Sequence, residues 1–430
     1  MHYGATHTKP NFDGATAARR GISLAQHHTT IFDAYHTAAL IVILLVTYFN
    51  LPVYVHTLNE SVLPKDFYFV FLLILAPIIV VRAKALTSYL TSPFALWSMA
   101  LLLLNVIHLV DAFLAGDPSQ YVAADEDVKM ASEIIYTRMQ FLVMAIILGF
   151  AFFVARTAAY QRVFVFAAVA IPCLVGLDFA EPGLLYPLDV QSAVLGRPGA
   201  TFINPTIASE VMLLVFLMAC NVIQPKYRVP LFLMTSAAIF LTFTRSATLA
   251  CLLLFVFFAA RRLFQKSEVI AIVIAIGVFA IVFGDFYGYL NGRQDIAGGL
   301  NNIDDRLNFF SSFNVEDDSA QSRASALLAG LELFLENPLA GAGAGATQFW
   351  QMGISTHNQL VLLAAEYGVL GIVSWLALAA ILWRGRYFSD RSLQVAMCLL
   401  FIFMTMFTHN MFDFPYWLVT FALVSGQSAR

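Results

Sequence analysis

Apolar runs long enough to cross a bilayer alternate with short polar breaks along almost the whole chain. They fall near residues 37–57, 66–82, 92–115, 134–155, 162–180, 205–224, 229–245, 246–261, 268–290, 357–383, 392–410 and 413–428, a pattern that predicts twelve transmembrane helices. The chain thus divides into a polar tail over 1–36, nine spans within 37–290, a polar segment over 291–356 and three spans within 357–430. The tail shows no short apolar stretch followed by a small-residue cleavage site, so the first span reads as a retained anchor. The irregular spacing of histidines 2, 7, 27, 28 and 36 points to a disordered tail rather than a metal site. No internal repeat is visible, and the one long polar insertion weighs against a two-fold repeated transporter.

Composition sharpens this picture. Of 430 residues, 60% are hydrophobic and 12% charged, whereas a water-soluble domain carries about 25% charge. A soluble enzyme is excluded, and the expected class is an all-α polytopic membrane protein. The net charge of -3 hides how the 24 Lys and Arg are distributed. With a cytoplasmic N-terminus, sixteen fall in inner segments and eight in outer ones, so the positive-inside rule puts both termini in the cytoplasm. The outer eight are Lys65, Lys129, Arg138, Arg197, Arg245, Arg293, Arg306 and Arg323. Six are Arg, and recognition of phosphate or carboxylate is one reason to place guanidinium groups there. All four cysteines lie in predicted spans, where they act as small apolar residues, so no disulfide framework or thiolate metal site is indicated. No cofactor, metal or nucleic-acid partner is expected.

The outer segments carry the candidate chemistry. After Glu316, Asp317 and Asp318, suited to a helix N-terminus, a helix is expected from Ser319 to Glu336 and is ended by Asn337-Pro338. Ala320, Ala324, Leu327, Leu331 and Phe334 fall on one face, so this amphipathic helix should lie along the outer interface or roof a cavity, with Arg323 beside the apolar stripe. The glycine-rich run Gly341–Gly345 either lets backbone N–H groups approach an anion or simply makes a flexible connection. The Lys and Ser/Thr of a phosphate-binding loop are absent. His357 opens an apolar helix at the outer face, where a neutral imidazole suits a general base or, equally, an interfacial helix cap.

Arg197, between two spans and next to Pro198 and Gly199, reads as a rigidly held anion ligand or a headgroup anchor, and Asn204-Pro205 starts the next helix. Arg245 in Thr244-Arg245-Ser246 sits between two spans with almost no loop, where an Arg costs up to ~3 kcal/mol unless it is paired, snorkels or faces water. Asp125-Glu126-Asp127 reads as a solvated acidic loop. Asp178, Glu181, Asp189, Glu210, Glu366 and Asp413 are candidates for an outer cavity wall, and His409-Asn410 for a supporting group or interfacial anchor.

Three stretches together resemble the bacterial O-antigen ligase and polymerase superfamily. They are Arg197-Pro-Gly-Ala-Thr-Phe-Ile-Asn204-Pro205, Thr244-Arg245-Ser246, and the run from Ser322-Arg323 through Glu336-Asn-Pro-Leu-Ala-Gly-Ala-Gly-Ala-Gly345 to His357-Asn358 and Glu366-Tyr-Gly368. The resemblance implies a helical glycosyltransferase of GT-C-like type with a helical periplasmic loop, working without metal in the bacterial inner membrane. It would move a glycan from undecaprenyl diphosphate to a sugar hydroxyl at the periplasmic face: of the lipid A core in a ligase, of another lipid-linked repeat unit in a polymerase. The implied roles are general base for His357, with inversion at the sugar carbon, and substrate binding for Arg197, Arg323, Arg245, Arg306, Asn204 and Asn358. A transporter or flippase of a lipid-linked anion is the competing class. It should place charged or broken-helix positions near the bilayer midplane, whereas these cations gather at the outer ends.

Overall fold

The computed structural model describes residues 13–115, 131–187, 196–282, 318–348, 354–409 and 411–426. Their regular structure is entirely helical: α1 (Asp13–Tyr48), α2 (Leu51–Leu58), α3 (Pro64–Val81), α4 (Leu86–Leu90), α5 (Pro93–Ala115), α6 (Ala131–Phe153), α7 (Arg162–Ala180), α8 (Pro205–Cys220), α9 (Arg228–Leu241), α10 (Arg245–Ala260), α11 (Lys266–Val282), α12 (Asp318–Glu336), α13 (Gln359–Arg384), α14 (Arg391–Thr405) and α15 (Pro415–Ser425), with single 3₁₀ turns among them.

Among the described residues, six stretches are long and apolar enough to cross a membrane: Ile31–Tyr48, Pro64–Val81, Pro93–Leu114, Ser132–Phe153, Ala159–Ala180 and Gln359–Arg384. The protein is therefore an all-α polytopic membrane protein, but twelve full-length spans are not what the described residues show. α8, α10, α14 and α15 are apolar yet have only 16, 16, 15 and 11 residues, where a full crossing takes about 20. The apolar runs that suggested longer helices end in loops instead. Met406–His409, counted with the eleventh span, is turn rather than helix, and Phe243 (φ 51°) breaks the chain between α9 and α10. Two of the short helices need no lipid contact. α8 is buried from Ala208 to Cys220 and α15 from Tyr416 to Val424, and a helix that is apolar all round is stable when other helices enclose it.

The N-terminal region also differs from expectation. α1 already begins at Asp13, so much of the segment read as a disordered tail is helical, and the run 37–57 is divided at Asn50 (φ 52°). His36 is buried, with Nε2 3.0 Å from the Ala151 carbonyl oxygen, which ties α1 to α6. At that end Asp33 pairs with Arg82 at 2.8 Å and Arg156 at 3.4 Å.

The most consequential local feature is a break in α13. Gly368 adopts φ 62°, ψ -145°, which interrupts the helix and leaves carbonyls before it without intrahelical donors. The glycine-rich run supplies them: Ala342 N–H donates to the Ala365 carbonyl at 2.8 Å and Gly343 N–H to that of Glu366 at 3.2 Å, while Val369 N–H returns a bond to Pro338 at 2.8 Å. A Cβ on Gly341 (φ 77°) would collide with the backbone of Glu366 and Tyr367, and one on Gly368 with Pro338 and Leu339. The next N–H, of Ala344, donates to His108 Nδ1 at 2.8 Å. Neither reading of this run from sequence holds. These N–H groups are already engaged by the broken helix and are not turned toward an anion, and the connection is a fitted brace.

α12 spans the expected residues and packs along α13, but its buried face is Ala326, Gly330 and part-buried Leu327, Leu333 and Phe334 rather than the stripe through Ala324 and Leu331. Leu328, Leu331 and Leu335 form a separate exposed stripe beside Glu332 and Glu336. Such a helix has one edge for protein, one for apolar surroundings and one for water.

Candidate active site

Asp178 organises the first wall. Its Oδ2 accepts the backbone N–H of Gly199 and Ala200, each at 2.9 Å, and the Tyr186 hydroxyl donates to the Thr201 carbonyl at 2.7 Å. The loop so pinned holds Ala200 and Ile203 at φ 49° and 60°, conformations costly for residues with a Cβ, particularly a branched one. Its product is a buried, oriented Arg197: Nε donates to the Thr242 carbonyl at 3.1 Å and a terminal nitrogen to Thr244 Oγ1 at 3.3 Å. Arg197 is thus locked to the break between α9 and α10, and Arg245 opens α10 immediately beyond.

These residues face a cavity of about 470 Å³ whose walls also include Glu210, Arg323, Ala324, Leu327, Thr356, His357, Asn358, Thr408 and His409. That volume lies within the range of small-molecule sites. Three helix N-termini converge on it, because the N-caps of α8, α10 and α13, Asn204, Thr244 and Asn358, all line the wall. Asn204 Oδ1 accepts Thr206 N–H at 2.9 Å and Asn358 Oδ1 accepts Val361 N–H at 3.0 Å, so both side chains cap their own helices. Three positive helix ends and three guanidinium-bearing residues make the cavity attractive to an anion. Its apolar lining, including Ile207, Leu249, Leu327, Met406, Phe407 and Phe414, suits a hydrocarbon portion of the same ligand.

His357 sits just before α13 with φ 47°, a left-handed conformation uncommon outside glycine. Its ring packs edge-to-face on His409, with centroids 4.4 Å apart. Burial pushes the His357 pKa down to about 3, and the neighbouring His409 and Arg323 push in the same direction. Burial likewise takes His409 to about 4, aided by Arg323 and Arg138. Both imidazoles are neutral at physiological pH, and a neutral imidazole is the form that accepts a proton.

Of the residues expected from sequence, Arg197, Asn204, Arg245, Arg323, His357 and Asn358 meet in this one cavity. Arg306, Asp125-Glu126-Asp127, Asp189 and Asn410 lie outside the described residues. Asp178 holds the Arg197 loop instead of lining the cavity, and Glu181 is exposed at the end of α7. Glu210 does line it: its buried carboxylate accepts Tyr416 OH at 2.9 Å and Trp417 Nε1 at 3.0 Å, and also the Thr408 hydroxyl.

Arg138, grouped above with the outer cations that recruit anions, serves protein carboxylates. Its Nε donates to Asp413 at 2.7 Å and a terminal nitrogen to Glu366, itself wholly buried and bonded by the Thr347 hydroxyl at 2.8 Å. This cluster joins α6, the broken half of α13, the glycine-rich brace and the loop before α15. No spacing rule could have paired residues 228 and 275 positions apart. Among the described residues, no three His, Cys, Asp or Glu side chains gather to hold a metal ion.

An all-α membrane protein with a cationic, partly apolar cavity at helix N-termini is the class that fold and site define. Residues 230–376 match the family described as O-Antigen ligase. The matched segment runs from α9 through the first two-thirds of α13 and includes Arg245, Arg323, the glycine-rich brace and His357. It supports the assignment to the O-antigen ligase superfamily and, with it, an enzymatic role in glycan transfer. No curated protein matches the chain.

Proposed function

We propose that the protein is an O-antigen ligase that transfers a glycan from undecaprenyl diphosphate to a sugar hydroxyl of the lipid A core at the periplasmic face of the bacterial inner membrane, with both termini cytoplasmic. One observation carries this reading: three Arg, three helix N-termini and a neutral His share one cavity that also has an apolar side. Arg197, Arg245 and Arg323 hold the diphosphate, and Arg306 is a further Arg proposed to support them. Asn204 and Asn358 act by fixing the helix ends that face it. The polyprenyl chain follows the apolar wall.

The acceptor hydroxyl gives its proton to His357 as its oxygen bonds to the anomeric carbon. The bond from that carbon to the diphosphate oxygen breaks, and its electron pair leaves on the diphosphate, where guanidinium groups and helix N-termini stabilise the growing charge. Attack opposite the leaving group inverts the anomeric carbon. Burial is the main reason that His357 is a weak base, with His409 and Arg323 adding to it; a diphosphate bound beside it is an anion that raises its basicity.

The test is transfer by purified protein from undecaprenyl-diphosphate glycan to lipid A core, with and without chelator, for wild type and His357→Ala. Chelator-resistant transfer that falls about 100-fold or more in the variant supports the reading. Chain growth on the lipid-linked donor alone would make the protein a polymerase of the same superfamily. No transfer to either acceptor would move the assignment to transport of a lipid-linked anion.

A further inference from the structure

The proposed transfer leaves His409 without a task, yet its placement is specific. It lies in the turn after α14, lines the same cavity and touches His357 edge-to-face at 4.4 Å between centroids. The turn is pinned on both sides: the Thr408 hydroxyl donates to Glu210, and Met411 N–H to Gln359 Oε1 at 2.7 Å. The two ring nitrogens of His409 are not equivalent. Nδ1 is sealed from solvent and has no hydrogen-bond partner among the described residues. A neutral imidazole carries one proton, and a buried N–H without an acceptor is costlier than a bare nitrogen. The proton therefore belongs on Nε2, which is not among the sealed, unpartnered atoms, and it is His409 as a whole that lines the cavity.

We propose that His409 is a second acceptor-binding residue, whose Nε2–H donates to the sugar hydroxyl next to the one that His357 deprotonates. The inference rests on the transfer reading above. Its logic is geometric: with the nucleophilic hydroxyl on His357, the group within reach of a ring in contact with His357 is a neighbouring substituent of the same sugar. A neutral donor beside a neutral acceptor fits a pair of hydroxyls, one giving its proton and one receiving a hydrogen bond. The diphosphate, by contrast, is served by the guanidinium groups. The site would thus select acceptor sugars with two adjacent free hydroxyls and reject those in which the second is missing or substituted.

The tautomer gives the test its discrimination. A Gln side chain can place its amide N–H near the position of imidazole Nε2, whereas Asn places it near Nδ1. Transfer from undecaprenyl-diphosphate glycan to lipid A core is measured for wild type, His409→Phe, His409→Gln and His409→Asn, with melting temperatures as a folding control. The expected result is an acceptor KM raised about 10-fold or more in His409→Phe with the donor KM within about twofold, recovery in His409→Gln, and none in His409→Asn. An unchanged acceptor KM in folded His409→Phe, or better recovery by Asn than by Gln, overturns the role of His409 while leaving the transfer reading intact. Absence of transfer by wild type overturns that reading, and this inference with it.

Discussion

Replacing Arg138 by Gln should separate two explanations for a guanidinium near the cavity. Arg138 is 6% exposed at its side chain, Glu366 not at all, and Asp413 21%. The substitution leaves one wholly buried carboxylate and one mostly buried carboxylate facing each other without their cation. Removing one partner of a buried ion pair costs about 3–5 kcal/mol, and part of that returns if Asp413 turns toward water. A net loss of about 3 kcal/mol, at ~1 °C per kcal/mol for a chain of 430 residues, lowers the melting temperature by about 3 °C. The double variant Arg138→Gln, Glu366→Gln should recover most of that, because the wholly buried charge is gone. The two substitutions should then couple by more than about 1.5 kcal/mol in a double-mutant cycle. The assay is thermal unfolding of the purified protein in detergent, alongside the affinity for undecaprenyl diphosphate. An unchanged melting temperature with lost diphosphate affinity would refute this reasoning and return Arg138 to the ligands of the donor.

Three other outcomes follow from particular contacts. Gly341→Ala forces a Cβ into the backbone of Glu366 and Tyr367 at φ 77°, so it should destabilise by roughly 2 kcal/mol or more without changing the donor KM of the folded fraction. Gly343, whose Cβ would meet only His108 Nδ1 at 3.8 Å, should tolerate Ala better, at about 1 kcal/mol of backbone strain; thermal unfolding of both variants checks the contrast. Arg197→Lys should lower transfer by at least about 10-fold at saturating acceptor, since an ammonium cannot keep both the Thr242 and Thr244 bonds and still present a planar fork to phosphate. For pH, His357 and His409 have folded pKa values of about 3 and about 4 against an ordinary 6.5. The unfolded chain then binds more protons between roughly pH 6.5 and 4, so stability falls on acidification through that window, and His357→Phe should flatten the melting temperature against pH there.

How much of this was legible in the sequence depended on the range of the forces involved. Hydropathy is local, so it located apolar helices, six of them long enough to cross a membrane among the described residues, but not where the shorter ones stop. At Thr242–Thr244 and Met406–His409 the apolar run continues while the helix stops, because tertiary contacts such as Arg197 with Thr242 and Thr408 with Glu210 take over the polar groups that a helix would have used. The cationic side of the site was legible for a similar local reason. With a cytoplasmic N-terminus as the expectation, Arg197, Arg245 and Arg323 fall in segments that the positive-inside rule would leave poor in cations, so they stand out from the placement of charge along the chain alone. The same rule misread Arg138, whose reason is two carboxylates more than 200 positions away.

The glycine-rich run shows why composition and function are easily confused. Glycines are required wherever backbone must approach something closely, and sequence does not say whether that partner is an anion or another stretch of the same chain. Here the partner is the broken turn of α13, which follows His357 by about ten residues. Gly368 breaks the helix, the brace satisfies the carbonyls so exposed, and Arg138 clamps Glu366 beside the break. The first half of α13 is therefore a short, buried, separately anchored helix whose N-terminus, capped by Asn358, points at the cavity. An unbroken α13 would run on as one rod, and the direction of its N-terminus would be tied to the packing of its far half. Breaking the rod frees that end to be set by the cavity's own contacts, so the glycines serve the position of His357 from a distance, without touching what the cavity binds.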